Sequence, residues 1–260
     1  MTEAIRDIFL EERRQGILDR INQAGRASVA ELSQQFSKSE VTIRADLQAL
    51  SERNLVVRTH GGAISSIRGP YELSLATRRQ QQVTEKSRIG VAAAAMVADG
   101  DAIFLDSSST ALAIAHHLRH HHDVTIITNG LAVASDMLTA PGLTVVMPGG
   151  RLQRNTASLV GTAGASGLRK YNIQKGFFGA HGISAAEGLT DVSLAEAEVK
   201  RPVINMCRQV IAVLDATKWG RAGLASFANV KRVNRIITDQ HAPADLVAQM
   251  AAAGVEVVLV

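Results

Sequence analysis

The chain has 260 residues and a mass of 27.6 kDa, enough for one medium domain plus a small one. Hydrophobic residues make up 46% and charged residues 20%, which excludes disordered and collagen-like classes, and 3% aromatics argue against a stacking platform for single-stranded nucleic acid. The net charge of +4 sits mostly in the first third of the chain and permits a polyanionic partner there.

Ile17, Leu18 and Ile21 share one face of a first predicted helix, Arg13 to Ala24, which Gly25 stops. Ser28, with Glu31 three residues on, is a capping box that opens a second helix, Val29 to Phe36. The break Ser37-Lys38-Ser39 follows, and Ser39 N-caps a third helix running to about Arg53. Two short helices joined by so short a turn describe a helix-turn-helix, although periodicity alone fits a ligand-free helical bundle equally well.

The third helix favours DNA. Ile43, Leu47 and Leu50 form an apolar stripe, and Val41, Thr42, Arg44, Ala45 and Gln48 lie opposite. Arg can bond guanine, Gln can bond adenine, and small apolar groups can touch the thymine methyl. Ser37, Lys38 and Ser39 suit phosphate contacts at a helix start. Leu55 to Thr59 reads as a strand, with Arg58 and His60 at the base of a wing. Gly61, Gly62, Ser65, Ser66, Gly69 and Pro70 read as a linker. The expected organisation is a DNA-binding domain over 1–60, a linker over 61–75 and an effector domain over 76–260.

Ser39-x-x-Thr42-Ile43-Arg44-x-Asp46-Leu47, then Leu50, then Arg58-x-His60-Gly61-Gly62-Ala63, resembles the N-terminal signature of the DeoR family of bacterial transcription regulators. Ala45 stands where that family usually has a second Arg.

Beyond the linker, seven short apolar runs are predicted strands: Ala102–Asp106, Val124–Asn129, Leu143–Pro148, Gly176–Ala180, Val210–Asp215, Arg235–Asp239 and Val255–Val260. Helical stretches at Thr110–His120, Leu131–Thr139, Ala195–Cys207 and Ala244–Ala253 lie between them. This alternation implies an α/β domain with a mostly parallel sheet covered on both faces. Ligands on such sheets bind beyond the carboxyl ends of the strands. Those ends are polar here: Asp106-Ser107-Ser108-Ser109-Thr110, Thr128-Asn129, Gly149-Gly150-Arg151, His181 and Lys218. The first leads straight into a helix, which makes it an anion site, most naturally for phosphate. Together these ends suit a small polar phosphorylated ligand.

The second half resembles the DeoR family too, through Leu105-Asp106-Ser107-x-Ser109-Thr110, Thr128-Asn129-Gly130, Gly149-Gly150, Phe178-Gly179-Ala180-x-Gly182-Ile183, Glu196 to Arg201 and Asp215-x-x-Lys218. The resemblance implies a fold similar to ribose-phosphate isomerases and CoA transferases. It adds Lys200 to the effector residues. It also implies a repressor of sugar-catabolism genes whose operator binding is controlled by a phosphorylated sugar or related metabolite. The partners expected are double-stranded operator DNA, that effector and further copies of the chain, because one helix-turn-helix reads only a few base pairs.

An isomerase-like enzyme is the alternative, since Asp106, Asp191, Glu196, His181 and Lys218 are residue types that proton transfer needs. The fused DNA-reading module favours sensing, so no catalysis and no cofactor are expected. His116, His117, His120, His121 and His122 include i,i+4 pairs that suit a metal, but a solvated helix end is the simpler reading. No metal is therefore assigned. The single Cys207, the lack of a secretory signal and the lack of a long apolar run point to the cytoplasm, away from membranes.

Overall fold

The computed structural model describes residues 2–24, 26–52, 55–59, 61–65, 74–161 and 164–260. It divides into two compact units, Met1–Tyr71 and Glu72–Val260.

The first unit holds α1 (Thr2–Ala24), β1 (Arg26–Ser28), α2 (Val29–Phe36), α3 (Glu40–Glu52), β2 (Val56–Thr59) and β3 (Gly62–Ser65). The capping box forms: Ser28 Oγ accepts from the Glu31 amide at 3.2 Å, and Glu31 accepts from the Ser28 amide at 2.7 Å. Ser37 ends α2 in the left-handed region at φ 50° and so turns the chain into α3. Ile17, Ile21, Leu32, Ile43, Leu47, Leu50 and Val56 close one buried core. The strands pair antiparallel in the order β1-β3-β2.

One expectation is corrected here. Gly62–Ser65, read as linker, is the central strand of this sheet. Glycine is needed because a Cβ on Gly62 would lie 2.2 Å from the Ala27 carbonyl oxygen. A Gly-Gly pair that looked like a flexible joint is instead a close strand crossing.

The second unit begins with α4 (Leu75–Arg79) and α5 (Val83–Ala94), neither anticipated as a helix. It continues with β4 (Ala102–Leu105), α6 (Ser109–Leu118), β5 (Val124–Thr128), α7 (Leu131–Asp136), β6 (Leu143–Val146), β7 (Arg151–Gln153), β8 (Ser158–Val160) and α8 (Ala165–Leu168). Then come β9 (Ile173–Phe178), β10 (Gly182–Ser184), β11 (Gly188–Asp191), α9 (Leu194–Met206), β12 (Cys207–Val213), β13 (Ala225–Ala228), β14 (Arg235–Thr238), α10 (Ala244–Ala252) and β15 (Glu256–Leu259). All seven predicted strands fall in one sheet, ordered β15-β14-β12-β9-β4-β5-β6 and parallel throughout.

Both faces of the sheet are covered, and the period of two along β4 shows how. Ile103 and Leu105 join a cluster with Ile89 of α5 and Ile114 of α6. Phe104 points the other way, to Phe178, Val203 of α9 and Phe227 of β13. A small antiparallel sheet, β10-β11-β13, and a two-stranded ribbon, β7-β8, complete the unit; neither was anticipated. Among the described residues, no helix is long and apolar enough to cross a membrane.

Candidate functional site

Two surfaces gather the predicted residues. On α3, Ile43, Asp46, Leu47 and Leu50 are buried, while Val41, Arg44, Ala45 and Gln48 are exposed at positions i, i+3, i+4 and i+7. Val41 is 74% exposed on this face. Thr42 is half-buried, because Ser39 Oγ caps its amide at 3.2 Å and bonds its hydroxyl at 2.9 Å. Arg44 pairs with Glu40 at 2.7 Å, and Arg58 of β2 donates to Gln48 Oε1 at 2.7 Å, which joins the wing to the exposed face of α3. Ser37 and Lys38 are exposed at the turn. His60 lies outside the described residues.

A residue the sequence reading left without a role orients this face. Asp46 is buried and accepts from Arg13 at 2.7 and 3.1 Å and from Arg14 at 3.1 Å. These bonds fix α3 against α1. The signal was an acid at a core position of the α3 wheel.

The second surface lies where the strand order of the large sheet reverses. From β4 the chain moves out through β5 and β6, and from β9 it moves the other way through β12, β14 and β15. The crevice beyond the carboxyl ends of β4 and β9 is thus the topological switch point, the usual place for a ligand on an open α/β sheet. Asp106 to Ser109 leave β4 there, and Gly179 to His181 leave β9. The two loops touch closely: a Cβ on Gly179 would sit 2.4 Å from the Ser108 Cβ. Ser108 caps α6 by accepting from the Ala111 amide at 3.0 Å. Gly130, after β5, closes the other side, 3.0 Å from the Ser107 Cα for a Cβ placed there.

A buried polar layer holds these loops from behind. Asp106 accepts from the Gly179 amide at 2.9 Å and from the Ser108 amide at 3.0 Å. Lys200 Nζ stands 2.9 Å from both Asp106 and Asp191 and donates to the Gly179 carbonyl at 3.0 Å. Burial opposes its charge, but Asp106, Asp191 and Glu196 outweigh that and raise the Lys200 pKa. Glu196, one turn earlier on α9, accepts from Ser107 at 3.1 Å, Thr156 at 2.9 Å, Asn129 at 3.5 Å and Ser158. One helix face thus ties together the ends of β4, β5 and β9 and the ribbon. Thr156 and Ser158 were missed: Thr156 lies in the turn before β8 and Ser158 begins that strand. Asn129 Oδ1 is buried with no partner among the described residues.

In front of this layer stand half-exposed groups. At these strand ends Ser108, Ala180, His181 and Lys218 are partly exposed, while Ser107, Ser109, Thr110 and Thr128 are buried. Lys218 and His181 both have lowered pKa values, first through burial and then through nearby cations that include Arg78 and Arg221. Lys86 donates to the carbonyls of Arg78 and Gln81 at 2.7 and 2.6 Å, and burial beside Lys218 and Arg78 brings its pKa down to about 8 despite Asp215. This concentration of cations favours an anionic ligand. Gly149, Gly150 and Arg151 are exposed on the approach to β7, and no described bond links them to the Asp106–Thr110 loop.

Of the groups that an isomerase would need, His181 and Lys218 are partly exposed, and the three carboxylates are not. Asp106, Asp191 and Glu196 are buried in the bonds above. The histidine run is split: α6 ends at Leu118, and His116 Nδ1 lies 3.0 Å from Asp136, which Arg119 also pairs.

Comparison with known proteins matches a family to each of the two parts of the chain. Residues 13–68 match the DeoR-like helix-turn-helix domain, and residues 81–240 match the DeoR C terminal sensor domain. The glycerol-3-phosphate regulon repressor of Escherichia coli K12 is 32% identical over 235 residues, 89% of this chain and 92% of that protein. The HTH-type transcriptional repressor GlcR of Bacillus subtilis is 33% identical over 233 residues, 90% of each. The HTH-type transcriptional regulator YgbI of Escherichia coli K12 is 36% identical over 232 residues, 89% of this chain and 91% of that one. Among solved structures, ribose 5-phosphate isomerase A of Methanocaldococcus jannaschii aligns with a TM-score of 0.39 at 16% identity, covering 52% of this chain and 53% of that one. Translation initiation factor eIF-2B of Pyrococcus horikoshii aligns with a TM-score of 0.42 at 12% identity, over 88% and 85%.

Proposed function

Because this chain belongs to the DeoR family of helix-turn-helix transcription regulators, we propose that it represses genes of sugar catabolism and leaves its operator when a phosphorylated sugar or related metabolite binds the switch-point crevice. The exposed face of α3 reads base edges in the major groove, with Arg44 and Gln48 as hydrogen-bonding groups and Val41 and Ala45 as apolar contacts. Ser37, Lys38, Ser39 and Arg58 hold phosphates beside it.

The observation that carries the effector reading is the switch point itself: a loop opening a helix, crossed closely by a glycine, with half-exposed His181 and Lys218 in front. The phosphate sits against the Ser107–Ser109 loop and Lys218, and the sugar hydroxyls meet His181 and the polar strand ends. Asp106 and Lys200 act from behind, by holding the loop rather than touching the ligand, since both are buried and bonded to protein. The relatives that match over nearly the full length are named as regulators, which supports sensing over turnover.

Operator selection needs two half-sites, so the working form is a homo-oligomer. The ligand needs only unequal affinity for two arrangements of the DNA modules to weaken simultaneous contact. Fluorescence anisotropy of the full chain on DNA from its own promoter, with and without a panel of pentose, hexose and triose phosphates, tests the proposal. Release by one class at micromolar to millimolar concentration supports it. Operator binding indifferent to every phosphate ester rejects it.

A further inference from the structure

Between α4, the first turn of α7 and the turn that joins β7 to β8 lies a cavity of about 750 Å³. That size is within the range of small-molecule pockets. None of the residues assigned above to the switch-point crevice lines it. Its lining holds two arginines, Arg79 and Arg154, and no acidic residue. Neither arginine's side chain has a hydrogen bond or ion pair with any described residue, so among those residues the two like charges at the cavity are uncompensated. Asp136, the carboxylate nearest in sequence on α7, is engaged by Arg119 and His116.

The walls are tied together in advance. The Leu75 amide donates to the Asn155 carbonyl at 2.9 Å, which fastens α4 to the ribbon turn. The Leu131 amide donates to the Ala157 carbonyl at 2.8 Å, which fastens α7 to the same turn. Ser74, Ser135 and Asn155 are the other polar residues of the lining, with Leu131 as an apolar wall. Guanidinium forks on a braced frame match the planar oxygen pairs of carboxylates and phosphates.

We infer that this cavity is a second anion site, for a small polyanion bearing phosphate or carboxylate groups, held by Arg79 and Arg154. It is separate from the switch-point crevice and does not depend on what that crevice binds. Adjacent helix positions point about 100° apart. Arg78 of α4 accordingly belongs to the cation group around Lys86 and Lys218, while Arg79 serves the cavity. The short helix α4 therefore carries one arginine for each anion.

Titration calorimetry of the full chain with pyrophosphate tests this, and citrate in a parallel series separates phosphate from carboxylate chemistry. Three proteins are compared: the unaltered chain, Arg79→Gln with Arg154→Gln, and Ser109→Ala with Thr110→Val. Arg79 and Arg154 are exposed, so the first variant folds as the parent does, which thermal melting verifies. The arginine variant is expected to bind at least about tenfold more weakly at one site, the loss that follows removal of charge-assisted hydrogen bonds. The loop variant is expected to keep that site. Unchanged stoichiometry and affinity in the arginine variant would overturn the inference. Loss of one and the same binding event in both variants would overturn it as well, because that describes a single site.

Discussion

Lys200 Nζ lies 2.9 Å from Asp106 Oδ2, with both side chains almost wholly buried, so a cation on α9 anchors the loop that ends β4. The same ammonium reaches Asp191 at 2.9 Å and lies 4.7 Å from the centre of the Phe227 ring. Removing one member of such a group leaves uncompensated buried charge. Lys200→Met is expected to lower the unfolding free energy by about 3–5 kcal/mol in urea titrations. A loss under about 1 kcal/mol, the range of exposed pairs, would show that the two aspartates do not depend on this cation.

Gly179→Ala tests the crossing of the two loops. The new methyl would sit 2.4 Å from the Ser108 Cβ, closer than packing allows, so the loop must move. Overpacking of this kind costs about 1–3 kcal/mol. The expected phenotype is an operator-binding protein that no longer answers to sugar phosphates. Anisotropy with and without effector reads it, and an unchanged effector response would place the ligand away from this crossing.

Asp46→Ala removes the acceptor shared by Arg13 and Arg14. The first unit should lose about 3 kcal/mol or more, because two cations on α1 are left facing the space of a buried carboxylate. Hydrogen exchange should speed up in α1 to α3 and stay unchanged in the seven-stranded sheet. Equal acceleration in both units would show that the loss is not confined to the first.

Lys86 links stability to pH. Its folded pKa of about 8 is below the ordinary 10.5, so between these values the unfolded chain binds more protons than the folded one. This group therefore works against folding below about pH 8, and its penalty fades as pH rises towards 10.5. Urea titrations at pH 7.5, 9 and 10 (roughly spanning the window) should show a rise in stability that Lys86→Met lacks. Parallel pH profiles of the two proteins would refute the assignment.

Arg44→Ala should cost about 1–3 kcal/mol at a specific operator and relax base preference at one position of each half-site. Competition binding against operator variants measures both. Lys38→Ala should instead weaken all sequences alike and reduce the salt dependence of binding.

Much of the fold was legible because its elements are set by local periodicity. The helices of the first unit follow from the spacing of Ile17, Ile21, Leu32, Ile43 and Leu47, and from the Ser28–Glu31 capping box. The seven strands of the large sheet follow from apolar runs long enough to be buried on both faces. The candidate site was legible as a set of polar strand ends, because the rule that places ligands at the carboxyl ends of parallel strands needs only the strands.

Strand order and burial were decided elsewhere. No local pattern says that β9 lies beside β4, so the switch point exists only once non-neighbouring segments pair. Gly62 looked like linker because a cluster of Gly, Ser and Pro reads the same way in a linker and in a closely packed strand; only the Ala27 carbonyl beside it tells them apart. Residue types for Asp106 and Glu196, and the family resemblance for Lys200, likewise made them candidates for contact with a ligand. Packing of α9 against the strand ends buried all three, since a carboxylate or ammonium taken from water must find its partners within the protein. Sequence periodicity determined the helices of the first unit, the strands of the large sheet and which of their ends are polar; the tertiary pairing of distant segments decided which of those polar groups are buried and hold the strand ends in place.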